Sequence, residues 1–373
     1  MHFNKYNLPK SVMITLLLSL AAFYQASGQQ KDFSYYDSLT YAYYTAKDWK
    51  SLITSGKEAL ASGYDYNYLD VRLGIAYYEM RKFRQAARHF EKSLLNFSKD
   101  PVTAEYLYYA YLESGRGNDA SAIAWEYSDK FVTVPGTSTG KVNFVYTEGG
   151  YIPDASPAAG AIELMGADSI YGEEDVFKGQ SYLHAGLQLQ PGPKARLYIA
   201  GNTLGLDKQK HFAYSLYDAT LTNKLFTDTT FNYSLRQNEF YASLTYTPQS
   251  GFSITTAFHY MGGSATPVIS TYSDYVYSFS KAPYTYSHYV MALSLAKEAG
   301  NLTIAAGLSY AKLATSGNQV QANGSLTWYP AGNLDFYTTT SVTGFKYGSD
   351  KRLIIDETLG GKIAPKLWLE GLV

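Results

Sequence analysis

Three histidines, His184, His259 and His288, fall in segments where apolar and polar residues alternate, and each takes a polar place, with Ser and Glu residues nearby in sequence. Imidazole exchanges a proton near neutral pH more readily than any other side chain. The chemistry such residues could do is therefore hydrolysis, with a Ser or Glu in hydrogen-bond reach of a His that a third group orients. Sequence alone does not bring those partners together, and scattered polar-face histidines are more often ordinary hydrogen-bonded residues. Metal chemistry has less to rest on. There is no His-Glu-X-X-His, and Glu173-Glu174-Asp175 reads as a solvated loop rather than a calcium site. Gly149-Gly150 and Gly360-Gly361 read as strand bends, not phosphate cradles. The expectation is a chain without catalytic, metal or cofactor residues.

The elements that would position these side chains follow from composition. The 373 residues exceed a typical single domain. Charged residues make up 17% and aromatic residues 16%, with 38 Tyr, while the net charge is −1. Such a balance excludes a disordered chain and gives no field for nucleic acid. With no cysteine, disulfides, thiolate metal sites and a lipoprotein anchor are excluded.

Lys5 and Lys10 precede a mostly apolar run from Val12 to Phe23, and the small residues Ala26 and Gly28 stand before Gln29. This pattern predicts a cleaved export signal over residues 1–28, because about 12 apolar residues are too few for a spanning helix. Beyond it the composition changes. Roughly a quarter of residues 29–134 are charged against roughly a seventh of 135–373, and Pro135-Gly136-Thr137-Ser138-Thr139-Gly140 marks the junction with turn formers.

Residues 29–134 read as helix pairs. Leu73, Gly74, Tyr77, Ala86 and Phe90 stand at offsets that let two antiparallel helices approach closely, the small residues at the contact and the large ones around it. A shift of 34 leads to Leu107, Tyr111 and Ala120. This spacing resembles the tetratricopeptide repeat, over roughly residues 34–134 and most closely over 67–100. Tyr108 and Ala124 depart from the repeat pattern at the places of its Gly and Phe. The resemblance implies stacked helical hairpins whose concave side holds a protein or peptide partner, with a ligand-free spacer as the rival.

From 141 onward the period changes to two. Leu302, Ile304, Ala306, Leu308 and Tyr310 alternate with Thr303, Ala305, Gly307 and Ser309, and the same pattern runs through 252–260 and 320–328. Tight turns at Gln190-Pro191-Gly192-Pro193, Pro248-Gln249-Ser250-Gly251, Glu298-Ala299-Gly300-Asn301, Pro330-Ala331-Gly332-Asn333 and Ala364-Pro365-Lys366 alternate with longer connections predicted at 153–179, 207–232 and 264–283. Short turns at one end and long loops at the other predict an antiparallel transmembrane β-barrel of the outer membrane of a Gram-negative bacterium, with the short turns and the helices in the periplasm. The apolar sets would face lipid, and Gln188, Arg196, Glu239, His259, His288 and Asp335 would face a polar lumen.

Eleven strands are predicted, the last beginning at 366. Outer-membrane barrels close with even counts. The expectation is about 12 strands, with the chain a piece lacking its C-terminal part. Helical repeats followed by such a barrel resemble the YaiO-type outer-membrane barrels and, more loosely, exopolysaccharide exporters. The resemblance implies a non-enzymatic outer-membrane protein whose arm recruits a periplasmic partner for envelope assembly or export. Its rivals are a pore for polysaccharide or small solutes and an outer-membrane lipid hydrolase.

Overall fold

The computed structural model describes residues 31–97, 100–131, 141–154, 171–217, 224–313, 317–365 and 367–372. The predicted export signal and the turn-former run at 135–140 lie outside the described residues. The chain divides into two compact units, Met1–Tyr106 and Leu107–Val373. This division precedes the compositional break near Pro135, because residues 107–131 are hydrogen-bonded to the strands that follow.

The helices are α1 (Phe33–Thr45), α2 (Trp49–Ala61), α3 (Asn67–Glu79), α4 (Phe83–Asn96), α5 (Pro101–Glu113), α6 (Gly117–Glu126) and the short α7 (Ser128–Phe131). Starts at Phe33, Asn67 and Pro101, and again at Trp49, Phe83 and Gly117, are 34 apart. The reversals repeat too. Lys47, Arg81 and Gly115 carry positive φ angles of 56°, 57° and 79°. The next amide, of Asp48, Lys82 or Arg116, bonds back to the carbonyl of Tyr43, Tyr77 or Tyr111. A left-handed residue followed by such a back-bond satisfies carbonyls that the helix end would leave orphaned. The same turn thus ends the first helix of each pair.

In the first unit, Gly74 faces Phe90, whose ring occupies the space a Cβ would need. Tyr36, Leu52, Ala59, Leu69, Leu73 and Ala76 form a buried cluster. Asp70 is buried and joins α3 to α4, its carboxylate 2.9 Å from His89 Nδ1 and 3.0 Å from Lys92 Nζ. Arg72 Nη1 donates to Asp37 Oδ1 at 2.7 Å and so joins α3 to α1. Burial favours the neutral form of Lys92, but Asp65 and Asp70 outweigh it and hold its ammonium above the ordinary lysine range.

In the second unit, eleven strands form one antiparallel sheet in the order β1-β2-β3-β4-β5-β8-β9-β10-β11-β12-β13. They are β1 (Val142–Pro153), β2 (Tyr171–Gly192), β3 (Ala195–Tyr217), β4 (Lys224–Gln249), β5 (Phe252–Ala265), β8 (Tyr284–Ala299), β9 (Leu302–Leu313), β10 (Gly317–Trp328), β11 (Phe336–Tyr347), β12 (Asp350–Ala364) and β13 (Leu367–Leu372). Two further strands, β6 (Val268–Ser273) and β7 (Val276–Lys281), pair with each other. The architecture is therefore N-terminal helices followed by a large antiparallel meander. The outermost strands β1 and β13 are not paired with each other among the described residues.

Two of the expected long connections are corrected. Strands β3 and β4 run through most of the predicted 207–232 loop and pair from Ala195↔Tyr246 to Tyr217↔Lys224. Within 153–179, β2 is already extended from Tyr171, so Glu173-Glu174-Asp175 lies in a strand rather than a loop. The residues there include Thr, Tyr, Phe and Lys, which suit an extended chain, and His211, Phe212 and Ala213 among them are buried. Such a ribbon lacks the apolar-polar alternation by which its neighbours were recognised. The 264–283 segment also contains structure, the β6–β7 hairpin. Asp335 stands in the turn before β11, where its amide bonds Asn333 Oδ1 at 2.9 Å, and not on a strand face.

Candidate functional site

Residues paired directly across an antiparallel ladder project to the same side, so the register sorts the sheet into two faces. One cross-strand row runs Leu197, Leu244, Thr256, Leu293, Leu308, Ala322, Gly344 and Leu353. The row two residues nearer the short turns contains Tyr246, Ile254, Leu295, Ala306, Gly324, Val342 and Ile355. Most of these residues are exposed, Leu308 at 59% and Leu353 at 68%, while Leu197 and Ile254 are half-buried. A continuous apolar surface of this kind marks contact with lipid or another apolar layer.

The opposite face is polar. Its rows include Arg196, Thr245, Thr255, Ser294, Gly307, Asn323 and Thr343, and further along Glu148, His184, Asn202, Glu239, Met261 and His288. Thr245 and Thr255 bond hydroxyl to hydroxyl at 3.0 Å, and Thr327 and Thr339 at 2.9 Å. Arg196, Glu239, His259 and His288 therefore share this face with His184.

Only some of these residues meet. His259 Nε2 lies 3.0 Å from Glu239 Oε2. The other Glu239 oxygen accepts from Gln237 Nε2 at 2.5 Å, and Gln237 Oε1 accepts the Tyr286 hydroxyl at 2.5 Å. The Tyr286 ring lies 5.0 Å from that of His288. This chain crosses β5, β4 and β8 and holds a carboxylate between an imidazole and an amide. His259 thus pairs with a carboxylate, Glu239, rather than with a serine. His184 is separate, 3.4 Å from the Tyr198 hydroxyl. Among the described residues no three His, Asp or Glu side chains converge in a metal-ligand arrangement.

Arg196 stands apart, near the short turns. With Arg116, Asp119, Thr247 and Ser253 it lines a cavity of about 190 Å³. Its Nη2 is buried there without a hydrogen-bond partner among the described residues.

Of the helical residues selected from sequence, Leu73, Gly74, Tyr77, Ala86 and Phe90 lie between α3 and α4. All four side chains are buried, and the Tyr77 ring stacks on His89 at 5.5 Å. Leu107, Tyr111 and Ala120 are buried in the second unit. Tyr111 has a further contact that its spacing could not signal, since its hydroxyl lies 3.0 Å from Ser250 Oγ in the β4–β5 turn.

Two other features escaped the sequence patterns. The β6–β7 hairpin folds over the polar face at the end away from the short turns. There Phe279 packs on Phe212 at 4.8 Å and on Phe231 at 5.3 Å, and Tyr277 stacks on Tyr171 at 5.2 Å. Its high Tyr and Phe content was the available signal. The second is the string Gly136-Thr137-Ser138-Thr139-Gly140, which has the Gly-X-Ser-X-Gly spacing and lies outside the described residues. A nucleophile elbow requires a strand before the serine and a helix after it. Here α7 precedes the string and β1 follows it.

No protein-family model matches the chain, and no curated protein matches it. Among solved structures it is similar to the CymD monoaromatic hydrocarbon channel, at 14% identity and a TM-score of 0.32 over 52% of this chain and 56% of that one. It is also similar to OprB of Pseudomonas putida in its low-pH structure, at 8% identity and a TM-score of 0.21 over 54% of this chain and 81% of that one. The matched part thus spans little more than half the length of CymD.

Proposed function

We propose that the chain is an outer-membrane protein whose sheet lies in lipid as a barrel, with its short turns and helices on the periplasmic side. The observation that carries this reading is the register-wide separation of faces. Leucine, isoleucine and valine project mainly from one side of β3 through β12, and threonine, serine, asparagine, glutamate and histidine mainly from the other, where Leu204, Leu206, Leu235, Val290 and Ile354 are apolar exceptions. In water the apolar side would be an uncovered patch, and in lipid it is at rest. No described helix is long and apolar enough to cross a membrane.

The helical segment is, in this proposal, a tetratricopeptide-like arm that recruits a periplasmic protein or peptide for envelope assembly or export, as the YaiO-type barrels suggest. The recurrence of helix starts and reversals every 34 residues supports it, because that is the period of the tetratricopeptide repeat. The protein acts without catalysis, and the His259–Glu239–Gln237–Tyr286 chain is a structural ladder of the polar interior.

A second reading, a pore for polysaccharide or small solutes, is favoured by the predominantly polar character of that face. Sucrose-gradient fractionation of cells producing the full chain tests the location, with recovery in the outer-membrane fraction resistant to urea and carbonate expected. Recovery in the soluble periplasm without detergent would refute it. Capture with the full chain as bait, compared with a variant altered on the concave side of the arm, tests the recruiting role.

A further inference from the structure

The last helical pair meets the sheet at its short-turn end, and it meets turns from well-separated strands. The carbonyl of Ser121 in α6 accepts from Gln190 Nε2 at the end of β2, at 3.2 Å. Tyr111 and Arg116 bond Ser250 Oγ at 3.0 and 2.5 Å, and both Asp119 oxygens accept the amide of Gly251, at 3.3 and 3.2 Å, in the β4–β5 turn. The carbonyl of Glu113 accepts from the amide of Leu334, just before β11, at 3.2 Å.

In a flat sheet β2 and β11 would stand seven strand spacings apart, roughly 34 Å. Glu113 and Ser121 are joined by a reversal and one helical turn, which reach at most about 20 Å. Even with two hydrogen-bond lengths and the Gln190 side chain added, the span is about 31 Å and falls short of the flat-sheet distance. The sheet must therefore curl, and the helical pair lies across the opening that the curl encloses.

Resting on the membrane reading above, we infer that residues 107–131 are a built-in stopper over the periplasmic mouth of the polar interior. The stopper is held by a latch at Ser250 and Gly251. Arg116 is the centre of the latch: Nε bonds Asp119 Oδ2 at 2.8 Å, Nη2 bonds Ser250, and the guanidinium lies 4.3 Å over the Tyr111 ring. Asp119 then holds the backbone of Gly251, whose φ of 68° sets the tip of that turn. Movement of solute between interior and periplasm requires these bonds to open.

The test is conductance of the full chain in planar bilayers, together with flotation on liposomes. The wild type is expected to conduct little, and Arg116→Ala combined with Asp119→Ala to raise mean conductance at least fivefold. A second arm uses the absence of native cysteine. Tyr111→Cys with Ser250→Cys, which itself removes latch bonds, is expected to conduct. Bridging the pair with a short bifunctional methanethiosulfonate should close it again, and a reductant should reopen it. This arm holds even if the alanine variant fails to fold. Flotation with equal conductance in wild type and latch variants, or no change on bridging, would overturn the stopper alone. Failure to float would sink the membrane reading and the stopper with it.

Discussion

The ring of Phe90 fills the space that a Cβ on Gly74 would occupy. An alanine in mid-helix ordinarily gains about 1 kcal/mol over glycine. Here the added methyl meets a rigid, fully buried ring, so Gly74→Ala is expected to lower stability by about 1–3 kcal/mol net of that gain. Thermal unfolding followed by the helical circular-dichroism signal checks it. Adding Phe90→Leu should recover part of the loss, and no recovery would mean that the two side chains do not share that volume.

The reversals give a prediction of opposite sign at equivalent places. Arg81 holds a positive φ with a Cβ, at a cost of roughly 1 kcal/mol. Arg81→Gly should therefore stabilise the α3–α4 pair or leave it unchanged. Gly115→Ala should destabilise, because its φ is 79° and the new methyl would stand 3.1 Å from Leu334. Paired denaturant titrations of the two variants decide this.

Acid should loosen the helical segment through two exposed carboxylates. The Ser51 hydroxyl and amide hold Asp48 below the ordinary carboxylate range, and Lys31 does the same for Glu58. A lowered folded-state value means the contribution is complete above the unfolded-state value, near pH 4, and disappears as pH falls through the folded-state value. The helical midpoint temperature should fall below about pH 4. Asp48→Asn with Glu58→Gln should flatten that slope, and an unchanged slope would rule these groups out as its source.

The two sheet faces should respond unequally to charge. Leu308→Arg, in the middle of the apolar row, is expected to cost about 2–4 kcal/mol of folding in lipid vesicles. Ser294→Arg on the polar face should cost much less. Equal effects would mean that both faces contact the same medium.

Because His259 is bonded to Glu239 and stands among amide and phenol groups, His259→Ala and His288→Ala are expected to leave lipid unaltered relative to wild type. The check is product analysis after incubating each protein with phospholipid and lipid A. Hydrolysis by the wild type that vanished in either variant would reverse this reading.

Much of the fold was legible because two periods are physical necessities. A helix pair packed at fixed offsets must repeat its small and large residues, and the Gly74–Phe90 contact is where that rule is most visible. A sheet between two unlike media must alternate, as Leu302 to Tyr310 do. Legibility failed where those necessities lapse. Residues 207–217 and 224–232 are extended without strict alternation, and Phe212 and Phe231 there pack on a hairpin from a later part of the chain. The Asp119–Gly251 and Tyr111–Ser250 bonds join residues well over a hundred positions apart, and nothing local in either segment encodes the other. Arg196 was found on the right face but not in its cavity, because that cavity is walled by a helix and a turn from elsewhere in the chain.

Strands β2, β3 and β4 contain 22, 23 and 26 residues. At about 3.3 Å per residue each is over 70 Å long, while a tilted strand crosses the hydrocarbon with about 9–11 residues. In the outer-membrane orientation proposed above, more than a third of each strand, with the aromatic hairpin packed against this part, stands clear of the bilayer as a stiff mast on the cell exterior. That mast is the first part of the molecule an antibody, a phage or a neighbouring cell would touch.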